Sequence, residues 1–308
     1  MSQSLPSAGT HPDPVGDASA DTTRRIVEEI NATHGLELSL HSRFSSGMQS
    51  GAWLLVGADG TRAVLKARPT GSAVDVQHLA TIIERLRAAG YPTPRWLGAG
   101  ATKGGDVYHV QELSVGVAST PLTPAKTALL LDVLEQHAGL DPDPARDRSR
   151  EVAAAAVDES PGGFRHGVRQ LGAVGRDLID AYDDVMDAYG DVELPGGDLV
   201  HGDFNTCNIL LDQGRVSAVI DIEELGSGTR VIDYACLLRE AYVWPYDVEV
   251  KRMIRQAAEP IAGPGALAVC TAATAFFIIG FKVKHDPERV DSTLAGLFQL
   301  AADLSRPL

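Results

Sequence analysis

The densest run of reactive side chains in the sequence is His201-Gly202-Asp203-Phe204-Asn205-Thr206-Cys207-Asn208, and Asp221 follows Asn208 by thirteen residues. Four residues separate Asp203 from Asn208. Both lie on a loop that runs into the apolar stretch 209–211, and Asp221 ends the next apolar stretch, 216–220, beyond a turn at Asp212-Gln213-Gly214. A hairpin of those stretches returns the chain to its start, so Asp203, Asn208 and Asp221 are expected around one point. Two carboxylates and an amide oxygen are hard ligands that suit Mg²⁺. One of the carboxylates can stay off the metal and act as a base.

Asp, four residues, Asn, then a metal-binding Asp after a hairpin is the kinase catalytic spacing. Either H-G-D or D-x-x-x-x-N alone is a weak signal. Joined in order to Lys66 on an upstream strand, the set is a strong one. Taken singly, the same residues read as a structural His, a turn Asp and a capping Asn.

The elements that must hold these residues follow from periodicity. A helix from about Asp21 closes at Gly35. Strands read at 36–43, 52–56 and 61–67, with a tight turn at Asp59-Gly60. On the third, Val64 and Lys66 share one face and Ala63 and Leu65 the other. A helix over about 72–89 has Leu79, Ile82, Ile83 and Leu86 as one apolar stripe, with Gly90 at its C′ position. Strands at 95–98 and 107–113 follow. Beyond Gly116 the chain reads mostly helical: 124–138, loops within 141–163, one long helix over 165–189, the strand region 199–222, and helices from 230 to 304 broken at Pro245, Pro260–Pro264 and Pro287.

Composition bounds the function. The chain has 308 residues, 44% hydrophobic and 22% charged, with a net charge of −14. That is globular composition, and the length suits two lobes. The acidic balance argues against general nucleic-acid binding. Residues 181–250 hold fifteen acids and three bases, a net −12 of that −14. Such a concentration reads as solvated helix faces or as a field that attracts cations. Cys207, Cys236 and Cys270 are odd in number and lack C-x-x-C spacing, so no disulfide framework or zinc site is expected. Residues 1–20 read as a disordered leader without signal-peptide character. The apolar run 266–281 has sixteen residues, short of the roughly 18–20 that cross a bilayer, and is expected as a buried helix. A cytoplasmic location and no membrane partner follow as expectations. Oligomeric state is not readable.

The HGDxxxxN form, with Gly after the His, resembles the aminoglycoside phosphotransferase and choline kinase-like superfamily. The resemblance spans roughly residues 36–300 in order. It takes in Val64-Leu65-Lys66, the GYPTPRWLGAG segment, the linker Val110-Gln111-Glu112-Leu113, the HGDFNTCN loop, Asp221-Ile222-Glu223, and a helix start at Ile232-Asp233-Tyr234-Ala235. It implies an α+β, bilobal protein-kinase-like fold, with a small antiparallel-sheet N-lobe (21–113) and a mostly helical C-lobe (114–308). It also implies use of ATP or GTP with Mg²⁺.

On that resemblance Asp203 takes the proton of the acceptor hydroxyl, and Asn208 and Asp221 hold Mg²⁺. Lys66 holds the α/β-phosphates; its alternative is a snorkelling strand lysine. The loop 44–51, with Ser46 and Gly47, covers the phosphates. The backbone near Gln111, Glu112 and Leu113 meets the base. His201 reads as a structural loop residue. Asp233 caps its helix or fixes the catalytic loop. Glu223, with Glu224, reaches a substrate amine or the metal site, or faces solvent. Two departures stand out. The acids available to pair with Lys66 are Asp75, at a helix start where capping is expected, and Glu84, on the solvent side of the wheel. Gly226-Ser227-Gly228-Thr229-Arg230 replaces the usual Gly-Asp before the last motif helix.

The acidic 181–250 stretch favours a cationic antibiotic as acceptor, an aminoglycoside or a tuberactinomycin-type basic peptide, because amines need carboxylate partners. The alternatives are a metabolic kinase for choline, a hydroxy amino acid or a sugar, and a nucleotide-binding pseudokinase acting as an interaction module.

Overall fold

The computed structural model describes residues 13–14, 18–44 and 51–306. Ser46 and Gly47, expected in the phosphate-covering loop, lie outside the described residues. The chain divides into two compact units, Met1–Ala118 with Leu210–Ile220, and Ser119–Ile209 with Asp221–Leu308.

The first unit is built on β1 (Asp13–Pro14), α1 (Ala18–His34), β2 (Leu38–Arg43), β3 (Ala52–Gly57), β4 (Arg62–Arg68), α2 (Ala73–Ala88), β5 (Trp96–Ala101) and β6 (Val107–Glu112). The strands form one sheet in the order β1-β2-β3-β4-β6-β5, and every pairing is antiparallel. Alternation decides its faces. Ala63 and Leu65 of β4 pack with Leu55, Tyr108 and Val110 against Val27 and Ile30 of α1. Each fully buried large aliphatic chain there contributes about 1.5–3 kcal/mol. Lys66 therefore points to the opposite face, level with Ala52 on β3 and His109 on β6.

Ser72 caps α2 by accepting the Asp75 N–H at 3.2 Å. Asp75, expected as the cap itself, instead supplies the capped amide. Gly90 ends the helix in the left-handed region (φ 90°). The buried stripe of α2 is Val76, Ile82, Ile83 and Leu86. Leu79 is only half-buried.

A small sheet, β10-β9-β7, completes this unit. Its strands are β7 (Val117–Ala118), β9 (Ile209–Asp212) and β10 (Arg215–Val219). Gln213 (φ 48°) and Gly214 (φ 77°) form the β9–β10 turn, the left-handed pair that a two-residue hairpin requires.

The second unit holds α3 (Pro124–Glu135), α4 (Arg148–Val157), α5 (Phe164–Arg169), α6 (Ala173–Asp187), β8 (Asp198–Val200), β11 (Gly226–Gly228), α7 (Val231–Val243), α8 (Val248–His285) and α9 (Val290–Leu304), with a short 3₁₀ turn at Pro287–Arg289. One expectation is corrected and two are refined. The helix expected over 165–189 is two, because Gly172 takes φ 76° between them. The 141–163 segment contains α4, capped by Asp147, which accepts the Arg150 N–H at 3.0 Å. The break near Pro260–Pro264 falls at Ala262 and Gly263, where the backbone leaves helical angles inside α8. A residue before proline avoids the helical region, so Pro264 sets the break and Pro260 is carried within the helix.

Residues 266–281 lie in α8. By length and composition α8 could cross a membrane, yet its apolar window is 67% buried inside the protein. All three cysteines are free.

Candidate active site

The site starts from α7. The Gly226–Gly228 stretch, which replaces a Gly-Asp turn, forms β11 and pairs antiparallel with β8, Gly226 opposite Val200 and Gly228 opposite Asp198. Glycine is needed because the 146–149 backbone runs against this strand. A Cβ on Gly226 would stand 2.9 Å from the Arg146 carbonyl oxygen, and one on Gly228 would stand 2.9 Å from the Ser149 nitrogen. This pairing delivers the start of α7 beside the end of β8, where the HGD loop begins.

There Asp233, fully buried, accepts the His201 N–H at 2.8 Å on Oδ2 and the Gly202 N–H at 2.9 Å on Oδ1. His137 Nδ1 lies 3.2 Å from the same Oδ2. Asp233 thus fixes the start of the 201–208 loop. Two turns further along α7, Glu240 accepts the Thr206 N–H at 2.8 Å and the Thr206 hydroxyl at 2.5 Å. The Thr206 carbonyl accepts from the Ser119 N–H and hydroxyl, both at 3.0 Å. Phe204 is fully buried and meets His137 and His201 edge to face, with centroids 5.7 and 6.0 Å away. His201 is buried too, and its Nδ1 accepts the Asp203 N–H at 3.2 Å.

Gly202 has φ 85°, a backbone state that costs other residues about 1–2 kcal/mol. The space a side chain would enter is also taken, since Arg148 Nη2 stands 2.9 Å from the Cβ position. That is a physical reason for glycine after the histidine.

Asp203 and Asn208 are brought together. Asn208 donates its Nδ2 to the Asp203 carbonyl at 2.9 Å and to Asp203 Oδ2 at 3.2 Å. Burial raises the Asp203 carboxyl above its ordinary value. Arg239 and His201 oppose the rise, while the Asp221 charge adds to it. Asp221 thus lies within electrostatic reach of Asp203. It is exposed and holds φ 63°, an uncommon state for a residue other than glycine.

These residues fit a magnesium ion by donor type. Asn208 has committed its nitrogen to Asp203, which leaves its carbonyl oxygen as the ligand atom, and Asp221 offers an exposed carboxylate. No group of three His, Cys, Asp or Glu side chains forms a metal cluster among the described residues. Mg²⁺ needs none when one or two carboxylates and phosphate oxygens complete its shell.

Glu223 is half-buried. Glu224 already pairs with Arg146 at 2.5 Å and approaches Arg148 at 3.8 Å. Arg146 also donates to the carbonyls of Glu223 (3.3 Å) and Leu225 (3.0 Å), so it pins the segment after Asp221.

In the first unit Lys66 is half-buried on β4, and both Asp75 and Glu84 are exposed. Gln111 is buried. The Glu112 N–H donates to Arg95 (2.8 Å) and the Leu113 N–H to Arg62 (3.0 Å). Both backbone donors are therefore used within the unit. The Glu112 side chain holds Arg95 at 2.6 Å.

Sequence reasoning missed Glu240, Ser119, Arg146 and Arg148. Glu240 carried one signal: it lies seven residues from Asp233 on the same helix, hence on the same face.

A family profile described as "Phosphotransferase enzyme family" (APH) matches residues 41–270. No curated protein matches in sequence. Among solved structures, aminoglycoside phosphotransferase APH(4)-Ia aligns with a TM-score of 0.67 at 17% identity over 92% of this chain and 99% of that one. A thermostable mutant of it, in ternary complex with ADP and hygromycin B, aligns with a TM-score of 0.66 at 16% identity over 91% and 98%. An aminoglycoside phosphotransferase from Alicyclobacillus acidocaldarius aligns with a TM-score of 0.55 at 15% identity over 96% and 94%. At these identities the structural likeness speaks for the kinase-like fold.

Proposed function

This chain belongs to the phosphotransferase enzyme family, a kinase-type family with hydroxyl acceptors, and from that premise we propose that it moves the γ-phosphoryl group of ATP or GTP to a cationic small molecule. The acceptor we favour is an aminoglycoside or a tuberactinomycin-type antibiotic, and the outcome is resistance. The observation that carries the reading is the Asp203–Asn208 pair with Asp221 in its field. A buried carboxylate whose proton affinity is raised suits a general base, and the flanking hard oxygen ligands suit Mg²⁺, which would neutralise charge on the phosphates. Asp203 takes the acceptor's proton, Asn208 and Asp221 hold the metal, and Lys66 holds the α/β-phosphates. Ser46 and Gly47 would cover them. The base would lie along Gln111, Glu112 and Leu113. The relative crystallised with ADP and hygromycin B supports both the nucleotide and an aminoglycoside class of acceptor. A cytoplasmic site of action agrees with that chemistry.

Glu223 and Glu224 are our acceptor contacts, although a substrate ammonium would share Glu224 with Arg146 and Arg148. That sharing favours a second reading, a metabolic kinase whose hydroxylated acceptor also bears a carboxylate, such as a hydroxy amino acid. Release of nucleoside diphosphate against a panel of both acceptor classes tests the two. Stimulation by a basic antibiotic supports the first reading, and stimulation by a hydroxy amino acid alone replaces it. Asp221→Ala is expected to abolish Mg²⁺-dependent turnover. An unchanged magnesium titration would remove Asp221 from the metal site.

A further inference from the structure

One helix holds the catalytic loop at two points. Asp233 and Glu240 are seven residues apart on α7, about 10.5 Å along its axis. Asp233 takes the amides of His201 and Gly202, and Glu240 takes the amide and hydroxyl of Thr206. Asp203 lies between the two anchors, and Asn208 lies two residues beyond the second. Thr206 is fully buried and Glu240 is 8% exposed. The opposite side of Thr206 is closed as well, because Ser119 donates twice to its carbonyl. Every backbone polar group and the hydroxyl of Thr206 are therefore held.

A buried carboxylate is a costly way to hold a loop, and a neutral acceptor would satisfy one amide. A carboxylate accepts on both oxygens at once, which fixes Thr206 in orientation as well as in place. The span from Asp203 to Asn208 is short. Any movement at Thr206 shifts the Asn208 amide that both steadies Asp203 and supplies a metal ligand.

We infer that Glu240 is a positioning residue: through Thr206 it sets the geometry between the base Asp203 and the amide of Asn208. This rests on the phosphotransfer roles proposed for those two residues, but the anchor itself is a claim about the loop.

Three readouts on Glu240→Ala, Glu240→Gln and Thr206→Val test it. Hydrogen exchange of the 203–208 amides in the ligand-free protein is expected to speed at least tenfold in Glu240→Ala, with α7 still protected. The Mg²⁺ concentration that half-saturates thermal stabilisation by ADP is expected to rise several-fold. With an acceptor in hand, kcat per folded molecule is expected to fall roughly 10–100-fold while acceptor KM stays within threefold, as expected for ångström-scale misplacement. Glu240→Gln, which keeps one acceptor oxygen, recovers most of each loss. Thr206→Val, which keeps the amide bond and loses the hydroxyl bond, shows the same changes at smaller size than Glu240→Ala, and the double variant is no worse than Glu240→Ala alone.

The inference is overturned if 203–208 exchange is unchanged in Glu240→Ala. Additive losses in the double variant overturn it as well. Should Glu240→Ala fail to fold, Glu240→Gln and Thr206→Val carry the same comparison. If the wild-type protein shows no ADP stabilisation, the nucleotide reading fails, while the exchange result still decides the anchor.

Discussion

The base role proposed for Asp203 would come at the expense of stability. Its folded carboxyl binds a proton more tightly than an unfolded aspartate does, because burial disfavours the charge. Between the unfolded and the raised folded value the native state holds more protons, so stability falls as pH rises through that window. The destabilisation grows as pH rises above the ordinary aspartate range and is complete once the raised folded value is passed. Asp203→Asn should therefore raise Tm in metal-free neutral buffer, and the gain should vanish below the ordinary aspartate range near 3.8. The same variant should lose roughly 10²–10⁴ in rate. A Tm that drops at neutral pH would contradict the sign. Gly202→Ala tests the neighbouring position. It must adopt φ 85° and displace Arg148, so a loss of about 1–2 kcal/mol by denaturant titration is expected. The residues that meet in this loop were legible because chemistry demands their types in order. Those that hold the loop were not. A buried glutamate on an apolar helix reads as an ordinary acid until its partner amide is known.

At the scale of elements, β2 to β6 and the helix ends at Gly35 and Gly90 were legible, because alternation and left-handed glycines are local signals, whereas the two-residue strands β1 and β7 are too short to alternate. The break at Gly172 was not, since the apolar stripe continues across it and one mid-helix glycine costs only about 1 kcal/mol. The pairing of β11 with β8 was equally hidden, because a Gly-Ser-Gly stretch has no side-chain pattern to read. The break at Gly172 has a consequence at Arg165. This guanidinium, on α5, bonds both oxygens of Asp183 on α6 at 2.7 and 2.6 Å, Glu159 at 2.6 Å, and the last turn of α4 through Ala156 at 3.1 Å. It staples three helices that one continuous helix would not need to join. Arg165→Ala should cost about 1–3 kcal/mol, because a buried guanidinium loses its hydrogen bonds while the half-exposed Asp183 is partly compensated by water. Arg165→Met with Asp183→Leu should recover much of that. Turnover per folded molecule should hold in both. Glu159 adds a pH signature. Bonds from Arg169, and then from Arg165, depress its carboxyl to about 2 from an ordinary 4.5. Its contribution is present above 4.5 and is lost as pH falls toward 2, so Glu159→Gln should flatten acid unfolding across that window.

For the whole molecule, the structure gives the acidic segment 181–250 a different meaning from the one its charge suggested. Asp183 holds Arg165. Asp198 holds Arg230. Asp233 and Glu240 hold backbone. Asp247 caps α8, Glu249 holds Arg252, and Glu224 holds Arg146. Much of the excess is internal scaffolding, and Asp184, Asp187, Asp191, Glu193 and Asp221 are the exposed remainder in the second unit. A cationic acceptor would still feel the net charge of −14 over a distance of about 10 Å at 0.1 M salt. Its kcat/KM should then fall as salt rises, with kcat held. A salt-independent kcat/KM would favour the neutral or zwitterionic acceptors.

The first unit recruits Leu210–Ile220 from far along the chain, and this has a consequence for biosynthesis. Pro92 receives the Val219 N–H at 2.6 Å, Val115 receives the Ser217 hydroxyl at 2.6 Å, and β7 pairs with β9. None of these partners exists when residue 118 leaves the ribosome. At about 5–20 residues per second, the intervening hundred residues take roughly 5–20 s to make. For that interval the six-stranded sheet can form while the segment beside it, 113–118, has its strand edge unmatched. A nascent chain arrested between residues 118 and 210 should be cut by protease in that segment, and one arrested far enough beyond 220 for the hairpin to emerge should not.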